Sequence, residues 1–159
     1  MANGFEPSLF DKLFEELPGV AAHRRYSLVQ LIDGVARDLE ALLNTRIVVE
    51  DLLHKDCPLA ARSVIGFGLA DFAGLNLVSV HDRRQICSAI KAAINAYEPR
   101  LKDVRVELEP EHKTVNALLF SIHAMLVVSF AEERVAFDAT LQPTCLQYSV
   151  SQRSMRTRA

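Results

Sequence analysis

The chain has 159 residues, half of them hydrophobic, and a formal charge of −2 at neutral pH. That length suits one domain of ordinary size, and the apolar content excludes a disordered chain. A charge so near zero leaves no global field to draw in nucleic acid or an anionic membrane, and no local basic patch stands out in the body of the sequence.

Three cysteines, Cys57, Cys87 and Cys145, are odd in number and widely spaced, which fits a reducing, intracellular setting better than a disulfide framework. No basic segment followed by an apolar stretch opens the chain, so no secretory signal is expected. The longest apolar run, 117–130, is interrupted by Ser121, His123 and Ser129 and is about six residues short of a helical membrane span. A buried strand is the better expectation for it.

In chain order, Ser8 to Leu17 places Leu9, Phe10, Leu13, Phe14 and Leu17 on one helical face, with Pro18-Gly19 as its stop. Ser27 and Gln30 then form a capping-box pattern. The helix it opens carries Leu28, Leu31, Ile32, Val35, Leu39 and Leu42 within about a third of its circumference, and Asn44 is expected to end it as a left-handed cap. Its far face holds Gly34 and Ala41, small residues that would permit close approach by a partner or by the first helix.

A brief helix from Leu59 to Ile65 is expected after Pro58, followed by the glycine-punctuated loop Gly66 to Phe72, whose spacing does not match a phosphate cradle. Asp82 with Gln85 is read as the cap of a second long helix with the stripe Ile86, Ala89, Ile90, Ala93, Ile94 and Tyr97. That helix stops at Glu98-Pro99-Arg100. Proline disfavours the α conformation in the residue before it, so Glu98 and Arg100 are expected on extended backbone, pointing the same way as an exposed polar fork.

Beyond the fork the period changes to two. Val104, Val106 and Leu108 alternate with Arg105, Glu107 and Glu109; Pro110 to Lys113 makes a hairpin loop; and Leu118, Phe120 and Ile122 continue a second strand. A third is expected from Val135 to Leu141 and a short fourth from Thr144 to Val150. Helices followed by a small antiparallel sheet indicate a single α+β domain. The expected divisions are an N-terminal helix and linker over 1–26, the domain proper over 27–150, and a disordered basic tail over 151–159.

Several chemistries can be weighed against these residues. His54 and Cys57 with Cys145 make only one loose ligand pair, short of a structural zinc site. His81 and His123 read as surface or satisfied core histidines, and no nucleophile elbow occurs. A glycosidase could pair Glu98 with Asp71 or Glu107, but the chain has no tryptophan to line a sugar cleft, and Arg100 beside Glu98 favours the ionised carboxylate, opposite to what a general acid needs. The simplest alternative is a helix stop carrying two solvated charges.

Five short motifs then combine: Leu-Leu-Asn-Thr-Arg (Leu42 to Arg46), Gly-Leu-Ala-Asp (Gly68 to Asp71), Tyr-Glu-Pro-Arg-Leu (Tyr97 to Leu101), Phe137-Asp138, and Leu-Phe-Asp-Lys-Leu (Leu9 to Leu13). In order and spacing they resemble the TssE family, the type VI secretion baseplate component similar to the phage-tail wedge protein once labelled a lysozyme. The resemblance covers about Ser8 to Val150. Ala70 stands where many relatives have proline.

The resemblance implies a non-enzymatic assembly protein without cofactor, metal, nucleic acid or small-molecule substrate. Its partners would be other baseplate wedge subunits and contractile sheath subunits. Its place would be the cytoplasm, in a baseplate docked at the inner membrane complex, so that it meets the membrane only through the apparatus. Glu98, Pro99 and Arg100 match the family's Glu-Pro-Arg motif and, with Asp71 and Arg46, become the expected partner-binding residues. A lysozyme-like hydrolase and a stand-alone regulatory binding module are the competing functions.

Overall fold

A computed structural model describes residues 4–6, 25–47, 57–61, 63–72, 74, 79–109, 117–128, 131–142 and 144–153. Helix α1 spans Leu28–Asn44, and a short helix α2, Pro58–Ala61, leads into a 3-10 turn at Val64–Gly66. Helix α3 spans Val80–Tyr97 and is followed by strands β1 (Leu101–Leu108), β2 (Leu118–Val128), β3 (Ala131–Gln142) and β4 (Gln147–Gln152). The expected first helix, the Pro110 hairpin loop and His54 lie outside the described residues.

The strands form one antiparallel sheet in the order β1-β2-β3-β4. Helices on one face of an antiparallel sheet make the α+β architecture that the change of periodicity indicated. The helices cover the face built by Val104, Phe120, Ile122, Leu126, Val135, Phe137, Leu141 and Tyr148, and α1 supplies Leu31, Ile32, Val35, Leu39, Leu42 and Leu43 to the same core. Leu39, Ile90, Ile122 and Phe137 have no exposed surface, and burying a side chain of that size is worth roughly 1.5–3 kcal/mol.

The local signals at the start of α1 operate as read. The Gln30 N–H donates to Ser27 Oγ (3.3 Å), and the Ser27 N–H donates to Gln30 Oε1 (3.0 Å). Its end differs. Asn44 stays helical and the next residue, Thr45, is extended, so no left-handed cap forms. The reason lies far along the chain: the Asn44 amide donates to the Tyr148 carbonyl and accepts from the Tyr148 N–H, both at 2.8 Å.

The start of α3 also differs. Ser79 is the N-cap, accepting from the Asp82 N–H, so Asp82 sits in the first turn, where a carboxylate faces the positive end of the helix dipole. The helix expected over Leu59 to Ile65 is broken into α2 and the 3-10 turn because Ser63 caps the second piece, its hydroxyl accepting from the Ile65 N–H (3.3 Å). In β1 a bulge between Lys102 and Arg105 places Asp103 at φ 53°, a left-handed geometry that aspartate tolerates better than most residues. Finally, β4 runs to Gln152, and the Arg153 N–H donates to the Ala136 carbonyl (2.8 Å), so the first three residues of the expected tail extend the sheet.

Candidate partner-binding site

The Glu98 N–H closes α3 on the Ile94 carbonyl (2.8 Å), and the Leu101 N–H returns to the Glu98 carbonyl (3.2 Å). Glu98-Pro99-Arg100-Leu101 is therefore a turn with proline at its second position, where the ring's fixed φ is favoured, rather than an extended segment. The two charged side chains meet each other instead of presenting an outward fork. Arg100 Nε donates to Glu98 Oε1 (2.6 Å) and its Nη2 donates to Glu98 Oε2. The same Nη2 reaches Asp38 Oδ2 on α1 at 2.5 Å.

Burial corrects the expectation of an exposed fork. Glu98 is 5% exposed, and the Arg100 side chain is 27% exposed. A carboxylate taken out of water is tolerable only when paired and hydrogen-bonded, and Arg100 supplies both in a forked arrangement. The hydrogen bonds to Glu98 hold the guanidinium above its ordinary range, so its charge is fixed at any accessible pH. The motif is thus an internal clasp joining the end of α3, the start of β1 and the middle of α1. Arg100 keeps Nη1 without a hydrogen-bond partner among the described residues, and Asp38 is 45% exposed.

Asp38 escaped sequence reasoning. It lies four residues after Gly34 and three before Ala41, on the helix face already singled out for its small residues, and that spacing was the available signal. Around Gly34 the nearest atom among the described residues is Arg37 Nη2, 3.7 Å from where a Cβ would sit, so nothing described packs closely there.

The other two expected site residues go elsewhere. Arg46 donates from Nη1 to the Leu43 carbonyl (2.8 Å) and from Nη2 to the Leu146 carbonyl (2.6 Å), locking the end of α1 onto the turn before β4. Asp71 is exposed, in a loop whose Leu69 pairs with Arg46: the Leu69 N–H donates to the Thr45 carbonyl (2.8 Å) and the Ile47 N–H to the Leu69 carbonyl (2.9 Å). Glycine is required at 68, where φ is 128° and a Cβ would stand 2.5 Å from the Thr45 oxygen.

Glu98 and Glu107, one carboxylate pair considered for hydrolysis, are not brought together. Glu98 faces the helices, whereas Glu107 lines a shallow trough of about 540 Å³ on the opposite face of the sheet, with Asp103, Arg105, His123 and Arg134. No cluster of metal-ligating side chains occurs among the described residues, and no described helix is long and apolar enough to cross a membrane.

The two edges of the sheet are unequal. On β4 the outward backbone groups are held by α1: Tyr148 by Asn44, and the Val150 N–H by Glu40 Oε2 at 2.7 Å. On β1 the Glu109 N–H donates to the Leu119 carbonyl (2.9 Å), and the alternation of an antiparallel ladder then turns the groups of Val106 and Leu108 outward. Leu108 donates to the Cys87 sulfur, and burial raises the pKa of that thiol. Val106 has no strand or side chain across its outward groups among the described residues.

No curated protein matches the chain in sequence. The family model for baseplate wedge protein gp25 matches residues 29–129, which take in the capped helix, the Gly68 loop, the Glu98–Arg100 clasp and the first two strands. With well over half its length matched, the chain belongs to the baseplate wedge protein gp25 family, a structural family whose members work in assembly with other baseplate subunits.

Proposed function

We propose that this chain is the TssE-type wedge component of a type VI secretion baseplate and that it helps to nucleate the contractile sheath by accepting a strand at the β1 edge, without enzymatic activity. The asymmetry of the sheet carries this reading. An unpaired edge offers main-chain hydrogen bonds to any extended segment, and such pairing tolerates varied side chains, as an adaptor between unlike subunits requires. Because α1 already occupies the β4 edge, an incoming strand has one edge to choose.

The clasp fits the same role. It fixes the direction in which β1 leaves the end of α3, and its remaining Arg100 donors are free for a wedge subunit. The cytoplasm, at the inner membrane complex, is where such a baseplate would act.

Val106→Pro tests the strand acceptor. It removes an outward N–H, leaves the ladder to β2 intact and is tolerated on edge strands. The variant is expected to enter the wedge complex and fail to support sheath assembly. Normal sheath formation would overturn the proposal. The rival hydrolase reading predicts peptidoglycan turnover that Glu98→Gln abolishes, and no turnover is expected.

A further inference from the structure

The acceptor stretch of β1 is short and both its ends are fixed. Its regular pairing with β2 runs from Arg105 to Leu108, beginning after the bulge, and at the far end the Leu108 N–H already donates to the Cys87 sulfur. The outward donor that remains in this stretch is the Val106 N–H. An antiparallel strand, the geometry of every pairing in this sheet, therefore has one register available: a central residue that exchanges both hydrogen bonds with Val106, and two neighbours that stand opposite Arg105 and Glu107.

The two faces of such a strand meet different chemistry. Val106 lies across from the fully buried Ile122 and packs with Leu108 against the core, so a residue opposite Val106 continues an apolar surface. Arg105 and Glu107 are exposed on the other face. Their neighbours on β2 are His123 and Ser121, neither of which carries an opposite charge. Asp103 and Arg134 line the same trough, yet neither Arg105 nor Glu107 has a hydrogen bond or an ion pair among the described residues, with each other included. Side chains directly opposite on adjacent strands approach to about 4.5–5.5 Å between Cβ atoms, closer than diagonal neighbours, so the vacant positions beyond the edge are where an opposing charge acts most strongly.

We infer that the strand accepted at the β1 edge reads basic, then apolar, then acidic in chain order, with its basic residue opposite Glu107 and its acidic residue opposite Arg105. These two residues then select the strand, while Val106 supplies hydrogen bonds that any strand can use. The inference rests on the strand-acceptor reading above. β1 itself carries the same pattern in Arg105-Val106-Glu107. A second copy, however, brings its own α3 to the seam, because α3 packs along β1 and reaches the strand's edge at Cys87. The occupant is therefore an extended segment of a sheath subunit with no helix alongside it.

The test places Arg105→Glu, Glu107→Arg and the double swap in the full chain, assembles each into the wedge complex, and measures binding of the purified sheath subunits of the same apparatus. Each single reversal sets like charges opposite one another and is expected to weaken binding about fivefold; the swap reverses both contacts and should weaken it about twentyfold or more. All three should melt like the parent.

A swap that binds like the parent would overturn the inference, because the two side chains would then serve each other along β1. So would variants that melt several degrees lower, or an isolated parent whose dimer is lost in each single variant and restored by mixing the two, which makes a second copy the occupant. A parent that binds no sheath subunit, or a Val106→Pro variant that binds normally, contradicts the strand-acceptor reading itself. Loss of binding in Val106→Pro beside unaffected charge variants removes only the partner pattern.

Discussion

The two edges of the sheet, a charged β1 and an uncharged β4, are treated differently by one helix. Along β4, Asn44 and Glu40 project from α1 and take the outward groups of Tyr148 and Val150 at 2.7–2.8 Å, performing with side chains what a fifth strand would do with backbone. Toward β1 the same helix extends Asp38, which holds Arg100 at the start of the strand, and among the described residues no strand or side chain takes the outward backbone groups of Val106. An open edge is a liability that soluble proteins usually blunt. Closing one edge with dedicated side chains while steadying the root of the other leaves a single acceptor with a defined direction.

The largest way to break this comparison is Arg100→Ala. Removing the guanidinium strands the Glu98 carboxylate in a site 5% exposed, and losing one partner of a buried pair costs about 3–5 kcal/mol. For a chain of this size that corresponds to roughly 6–20 °C in melting temperature. Glu98→Ala should cost less, because Arg100 keeps Asp38 and some contact with water. Thermal unfolding of both checks the order, and equal, negligible losses would restore the picture of a solvated fork.

Asn44→Ala comes next. It leaves a part-buried N–H and carbonyl on Tyr148 without partners, with an expected loss of about 1–3 kcal/mol in denaturant melts. The variant also gains a second open edge, so concentration-dependent self-association should appear in sedimentation. Glu40→Ala is expected to do the same more weakly, having only the Val150 bond to lose.

The smallest effect sharpens the comparison at its buried end. The Tyr148 hydroxyl is buried without a hydrogen-bond partner among the described residues, and burial pushes its pKa up to about 12, above the roughly 10 of an unfolded tyrosine. A raised folded-state value means that the neutral phenol is favoured on folding. Its contribution is complete below about pH 10 and is lost as pH rises toward 12, at most roughly 2–3 kcal/mol. Tyr148→Phe should change stability at pH 7 by less than about 1 kcal/mol and remove part of the alkaline loss, because Asn44 binds only the backbone of this residue.

What the sequence revealed follows the range of the interactions. The capping box at Ser27, the α1 stripe and the period-two strands depend on neighbours within a few residues, and each appears in the structure. The helix start at Ser79 is also local: serine three residues before Asp82 is itself a cap pattern, and it caps the helix in place of Asp82. The clasp was not legible because it draws on Asp38, 62 residues before Arg100 and in a different element. The role of Asn44 depends on a strand 104 residues away. Of the expected site, the helix stop at Glu98-Pro99-Arg100 was legible, its turn geometry and internal pairing were not, and Arg46 belongs to the lock on Leu146.

Amide hydrogen exchange at the two edges, measured in the isolated chain and again in the assembled baseplate with sheath, tests strand acceptance most directly. The account predicts that the Tyr148 and Val150 amides are protected in both states, whereas Val106 exchanges quickly alone and becomes protected on assembly. Protection of Val106 in the isolated chain, or an unchanged rate there alongside full sheath assembly, would contradict it.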